Sequence, residues 1–194
     1  MNRRDFLKTS GAVGIALGGR RAHARTESET EEFVGVLVDT TRCIGCRACE
    51  QACSREHGFP VPEVANDRAL EQERLTSETQ WTVVNRYETS KGETFVKRQC
   101  LQCWQPACAA ACLTNAMEKT PSGPVIWHPD RCMGCRFCMI SCTFDITKFE
   151  FNCLNPNKQK CNVCCVRMQQ GKNESCVGAW RSDALELGRD RDML

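Results

Sequence analysis

Aromatic side chains are scarce in this sequence, at 7% of 194 residues with a single tyrosine. Hydrophobic residues make up 41%, so the apolar core is modest and something besides side-chain burial has to contribute to the fold. No apolar run reaches 18 residues, which excludes a membrane-spanning helix. Histidine is rare too: beyond the N-terminal stretch only His57 and His128 occur, each alone, and both read as solvated loop positions. The length admits one compact domain or two small ones.

Cysteine is what the chain has in excess, with 17 residues. Cys43, Cys46, Cys49 and Cys53 follow the spacing C-x2-C-x2-C-x3-C, the iron–sulfur run of bacterial ferredoxins. Its short gaps let three thiolates from one tight loop cap three irons of a cubane. The fourth, one helical turn on, points at a different cluster. Gly45 suits the sharp turn and the close approach of backbone to cluster. The run returns at Cys132, Cys135, Cys138 and Cys142. At an offset of 89 residues Val36, Arg42, Gly45, Arg47 and all four cysteines recur identically, an internal repeat.

Two further runs complete the set. Cys100, Cys103, Cys108 and Cys112 form a slightly widened one that carries Pro106. Cys161 and Cys164 open the last, and Cys176 follows after eleven residues. The register Cys108-x3-Cys112-x3-Ala116-Met117 matches Cys176-x3-Trp180-x3-Ala184-Leu185, so a cysteine is due where Trp180 stands. One ligand is missing.

If the second and third runs pair under the crossover rule, one cluster takes Cys100, Cys103, Cys108 and Cys142, and its sister takes Cys132, Cys135, Cys138 and Cys112. Cys161, Cys164 and Cys176 then join Cys53, and Cys43, Cys46 and Cys49 lack a fourth ligand. Three complete [4Fe–4S] clusters are expected. The three-cysteine site holds a [3Fe–4S] cluster or a [4Fe–4S] cluster with water, Asp183 or another side chain on the fourth iron, or it stays empty. Fifteen ligands leave Cys153 and Cys165, read as small buried thiols, either of which could complete that site. Trp104 either shields a cluster or packs locally; Arg47 and Arg136 either offset cluster charge or are solvated. Structural zinc uses separated ligand pairs rather than three-cysteine loops with a trailing fourth, and an odd number of crowded cysteines fits a disulfide scaffold poorly.

Residues 1–24 read as an export label. Arg3-Arg4-Asp5-Phe6-Leu7-Lys8 resembles the twin-arginine signal, and Ala22-His23-Ala24 offers a cleavage site. The alternative is an amphipathic basic N-terminus. Removing these residues takes the formal charge from +2 to −2, with 21 basic against 23 acidic residues. Each cubane with four thiolates adds roughly −2 more, which argues against nucleic-acid binding. Strands are expected at 33–38, 125–127 and 146–151, with a β-hairpin formed by 81–87 and 94–97.

With these four runs, the chain resembles the four-cluster ferredoxin-type iron–sulfur subunits of membrane-associated oxidoreductases, notably those of periplasmic hydrogenases and molybdopterin enzymes. The resemblance extends from the signal to Leu187 and is strongest over 35–47 and 99–142. It implies an α+β fold of two interleaved ferredoxin-like double-cluster units with loop insertions. The outer unit takes 33–60 plus 151–190, an insertion with a β-hairpin takes 61–98, and the inner unit takes 99–150. It also implies a non-catalytic, periplasmic subunit that relays electrons. One side would be a catalytic subunit or multihaem cytochrome, and the other a polytopic quinone-binding membrane subunit. A free-standing polyferredoxin is the alternative. Two departures stand out. Ser54, Leu113, Thr143 and Arg181 replace the proline that usually follows each fourth cysteine. The sequence also ends soon after the fourth run, so membrane attachment is expected to come through a partner.

Overall fold

The computed structural model describes residues 34–151, 158–179 and 182–189. The signal at 1–24, Cys153 and Trp180 lie outside the described residues. Strand β1 (Val34–Val38) leads into the first cysteine loop, and helix α1 (Ala48–His57) leaves it. The hairpin follows as β2 (Val83–Thr89) and β3 (Gly92–Arg98). Next come α2 (Ala107–Ala110), β4 (Met117–Lys119), β5 (Val125–Trp127) and α3 (Phe137–Ile140). Last are β6 (Lys148–Phe149), β7 (Lys158–Gln159), α4 (Cys165–Gln169), α5 (Ser175–Gly178) and β8 (Leu185–Arg189). The strand expected over 146–151 is thus only two residues long. No helix among the described residues is long and apolar enough to cross a membrane.

Among the described residues the four sheets are antiparallel pairs, β1–β8, β2–β3, β4–β5 and β6–β7. The β1–β8 pair joins the two ends of the described chain, with Val36 opposite Leu187 and Val38 opposite Leu185. Alternate residues of a strand share a face, and Val36, Val38 and Leu185 gather on one core with Cys49, Val84, Phe95 and Cys176. Helix α1 packs on α5 beside it. A second core joins Met117, Val125, Cys138 and Phe149, with Cys108 and Cys112 against it. There α2 packs on α3 and β4.

The stretch 61–98 is not peripheral. Val83 and Val84 are 0% and 1% exposed, and Val84 belongs to the first core. Glu50 of α1, fully buried, fastens this stretch in place. Its carboxylate accepts from Arg47 Nε (3.3 Å), Arg74 Nη1 (3.2 Å), Gln80 Nε2 (2.9 Å) and the Val84 backbone N–H (2.7 Å).

The opening C-x2-C pair of each run turns through the left-handed region just before its second cysteine, at Gly45 (φ 70), Gln102 (φ 52), Gly134 (φ 72) and Val163 (φ 58). A β-branched residue there is strained, and such strain collects at ligand clamps. A Cβ on Gly45 would meet the Phe95 ring at 2.6 Å, whereas one on Gly134 would meet nothing within 4 Å. Gly134→Ala should therefore destabilise by about 1–2 kcal/mol, from backbone strain alone. Gly45→Ala adds overpacking and should lose roughly 2–4 kcal/mol. Denaturant midpoints of the two iron-loaded variants check this, and equal losses would refute it.

Candidate iron–sulfur sites

The four loops bring their cysteines together in groups that overlap at Cys49. In the first, Cys43 and Cys46 interact electrostatically, as do Cys43 and Cys49, and Cys49 also meets Cys176 of the fourth run. Burial pushes the Cys43 thiol up, against a backbone N–H from Gly45 directed at its sulfur. Burial raises Cys49 further, to about 12. Cys53 lies one turn along the same face of α1, but its charged neighbours are Cys161, Cys176 and Cys164. Those four cysteines line one cavity of about 110 Å³, which Cys100 also borders. Burial pushes Cys53 up and raises Cys161 to about 12.

The inner runs are placed differently. Cys108, Cys112 and Cys138 converge on the second core, while Cys103 and Cys100 share Lys119 as a charged neighbour. Cys132 ends a 3-10 turn (Pro129–Arg131), and Cys135 is exposed in the loop ahead of α3. At Cys112 burial works against the thiolate, but N–H groups of Met117, Thr114 and Ala116, with the Thr114 hydroxyl, hold it below the ordinary thiol value. Cys142 is lowered in the same way by N–H groups of Ile146, Phe144 and Thr147. Such nests of backbone donors suit a thiolate that carries metal.

The register that makes position 180 deviant has a counterpart in the backbone. Three residues after Cys112 and Cys142 stand Asn115 (φ 52) and Asp145 (φ 51), and three after position 180 stands Asp183 (φ 49). Ala116 and Ala184, next in line, are both 1% exposed. The Asp39 backbone N–H donates to Ala184 O at 2.8 Å, and Arg42 lies 3.9 Å from Asp183. The end of the fourth run therefore lies beside the first. The Asp183 side chain is 89% exposed.

Several single residues depart from the reading of the sequence. His57 is not solvated: it ends α1 half-buried, with its ring centroid 4.2 Å from that of Trp81 and Nε2 3.9 Å from Cys164 Sγ. Burial holds it below its ordinary value. His128 is partly exposed and bonds Glu118 at 3.0 Å. Arg47 is not solvated: it is buried, with Nε and Nη2 on Glu50 and Nη1 without a hydrogen-bond partner. The Arg136 guanidinium sits 4.7 Å over the Phe151 ring. Trp104 is 55% exposed. Cys165 is half-buried at the start of α4 rather than a fully buried thiol. Lys97 was missed altogether: it is buried, with Cys176, Cys49, Cys161 and Cys53 as its charged neighbours.

The donor set fits thiolate-ligated clusters. Among the described residues no three Cys, His, Asp or Glu side chains converge on a single-ion site. The sulfurs instead line a volume walled by Val36, Val38 and Val163, the arrangement a multi-iron core requires.

Comparison with known proteins agrees with the donor set. A 4Fe-4S dicluster domain matches residues 92–190, a 4Fe-4S binding domain matches 36–55, and a twin-arginine translocation signal matches 1–18. Over its whole length the chain is 40% identical to 55% of a protein from Nitratidesulfovibrio vulgaris. It is 30% identical to the formate dehydrogenase-O iron-sulfur subunit of Escherichia coli, over 97% of this chain and 62% of that one. The hydrogenase-2 operon protein HybA of Escherichia coli O157:H7 is 27% identical over 100% of this chain and 64% of its own length. The chain spans between half and two thirds of the length of these relatives. Loops, donor set and matches agree: the chain belongs to the 4Fe-4S dicluster domain family.

Proposed function

We propose that this protein is a non-catalytic electron-relay subunit of an oxidoreductase complex. It is exported by the twin-arginine route and held at the membrane only through its partners. The observation that carries the reading is the gathering of Cys53, Cys161, Cys164 and Cys176, from opposite ends of the sequence, around one cavity. That arrangement supports two interleaved double-cluster units, the outer built from the first and fourth runs and the inner from the second and third. Clusters bound there supply one-electron transfer at potentials set by charge, hydrogen bonds to sulfur and burial. The chain's own residues hold the thiolates, aim N–H groups at sulfur and exclude water. The relatives named as a formate dehydrogenase iron-sulfur subunit and a hydrogenase operon protein favour a place between a catalytic or multihaem cytochrome subunit and a quinone-binding membrane subunit.

In this reading the first set, Cys43, Cys46 and Cys49, holds the incomplete cluster. Iron and acid-labile sulfide per chain, with EPR on the same anaerobic sample, test it. The expected result is about 15 irons and an oxidised three-iron signal that Trp180→Cys removes, or about 16 irons where a non-cysteine ligand completes the site. About 12 irons would mean an empty first site. Zinc in place of iron would overturn the function itself.

A further inference from the structure

Lys97 stands on β3 opposite Val84 and is 6% exposed. Its ammonium donates to the Gln99 side-chain oxygen, and among the described residues no carboxylate lies within ion-pair distance of it. Glu174 lines the same cavity, 1% exposed, with both carboxylate oxygens unpartnered. A buried ammonium with a single amide partner is strongly unfavourable unless negative charge is brought to it. The groups that can bring it are Glu174, which has Lys97 as an electrostatic partner, Cys53, Cys161 and Cys176 of the second set, which line the cavity with it, and Cys49 of the first.

We propose that Lys97 is a shared electrostatic control residue, a fixed positive charge buried between two neighbouring clusters that holds both reduction potentials up. This rests on the cluster assignment made above. A cubane with four thiolates carries about −2 and gains one more negative charge on reduction. A cation beside it therefore stabilises the reduced form more than the oxidised form. One ammonium facing two sets acts on both, so the potentials of these two stations move together. Of the inner-run cysteines, Cys100 also lines the cavity with Lys97, so the set that the charge should leave unmoved is that of Cys132, Cys135, Cys138 and Cys112. Lys119, beside Cys100 and Cys103, occupies a comparable place in the other inner set.

The test is an anaerobic redox titration followed by EPR on the full-length, iron-loaded protein. Lys97→Met removes the charge at similar volume, and Lys97→Gln is a second neutral variant that keeps a hydrogen-bonding end. Lys97→Arg keeps the charge, and Lys172→Met makes the same change at an exposed position. At the potential where a wild-type outer cluster is half reduced, the neutral variants should show at least a tenfold lower reduced-to-oxidised ratio. For a one-electron couple that is a shift of about 59 mV to more negative potential. The two outer clusters should shift and the cluster of Cys132, Cys135, Cys138 and Cys112 should keep its potential; Lys97→Arg and Lys172→Met should match the wild type. If iron content and line shapes match the wild type while no potential moves, the role of Lys97 falls and the relay reading stands. A shift in Lys97→Arg equal to that in Lys97→Met would assign the effect to packing and also overturn it. Absence of iron from the wild-type protein would remove both.

Discussion

Glu50→Ala is expected to destabilise the iron-loaded protein by about 3–5 kcal/mol, the usual loss when one partner of a buried ion pair is deleted. The carboxylate is 0% exposed and sits between two guanidinium groups, the Gln80 amide and the Val84 N–H. Removing it leaves Arg47, 4% exposed, as an uncompensated charge beside Cys46. It also unties the 61–98 stretch from α1. Glu50→Gln keeps the shape but not the charge and should recover only part of the loss. The denaturant concentration at which cluster absorbance disappears gives the measurement. A change below about 1 kcal/mol, the worth of a surface pair, would show that the network is dispensable.

Iron removal should have a still larger effect, the loss of cooperative folding altogether. Among the described residues five of the 16 buried apolar positions are cysteines, and each of the four sheets has two strands. Two-stranded ribbons are marginal by themselves, and in small metal-dependent domains the free energy of metal binding is folding free energy. Stripped of iron, the chain would leave thiols such as Cys49 and Cys161 protonated, since burial raises both to about 12. Chelation under anaerobic, reducing conditions should abolish near-UV circular dichroism and the cooperative thermal transition. Iron and sulfide should restore both. An iron-free protein that still melts cooperatively would place the stability in the side-chain cores instead.

Much of the site was legible because its chemistry is local. The spacing of each run, the 89-residue repeat and the register around position 180 lie within single loops, and the loop backbone repeats with them. The hairpin was equally local, found at 83–89 and 92–98 where 81–87 and 94–97 were expected. What stayed hidden depends on distance along the chain. Glu50 looks like an ordinary acidic residue of a helix, and its partners Arg74 and Gln80 come from a stretch with no periodicity. Lys97 reads as a polar residue of a hairpin, and it is the first and fourth runs, more than forty residues before it and more than sixty after it, that set it beside thiols. His57 meets Cys164 across 107 residues. Only two of the four left-handed turns carry the glycine that would advertise them.

The pairing of β1 with β8 also orders events during synthesis. Chains emerge from the ribosome N-terminal part first, and domains fold as units as they appear. Under the proposed pairing the second and third runs, which span only residues 100–142, can close their four-cysteine sets while the rest of the chain is still being made. Val34 and its partner Arg189 are separated by almost the whole described chain, and a contact that distant forms late. In the same reading Cys53 waits for Cys161, Cys164 and Cys176, and the first loop waits for the segment beyond Cys176 to lie down beside Arg42. Newborn protein would therefore pass through a stage in which the inner half is metallated and the outer half is still open.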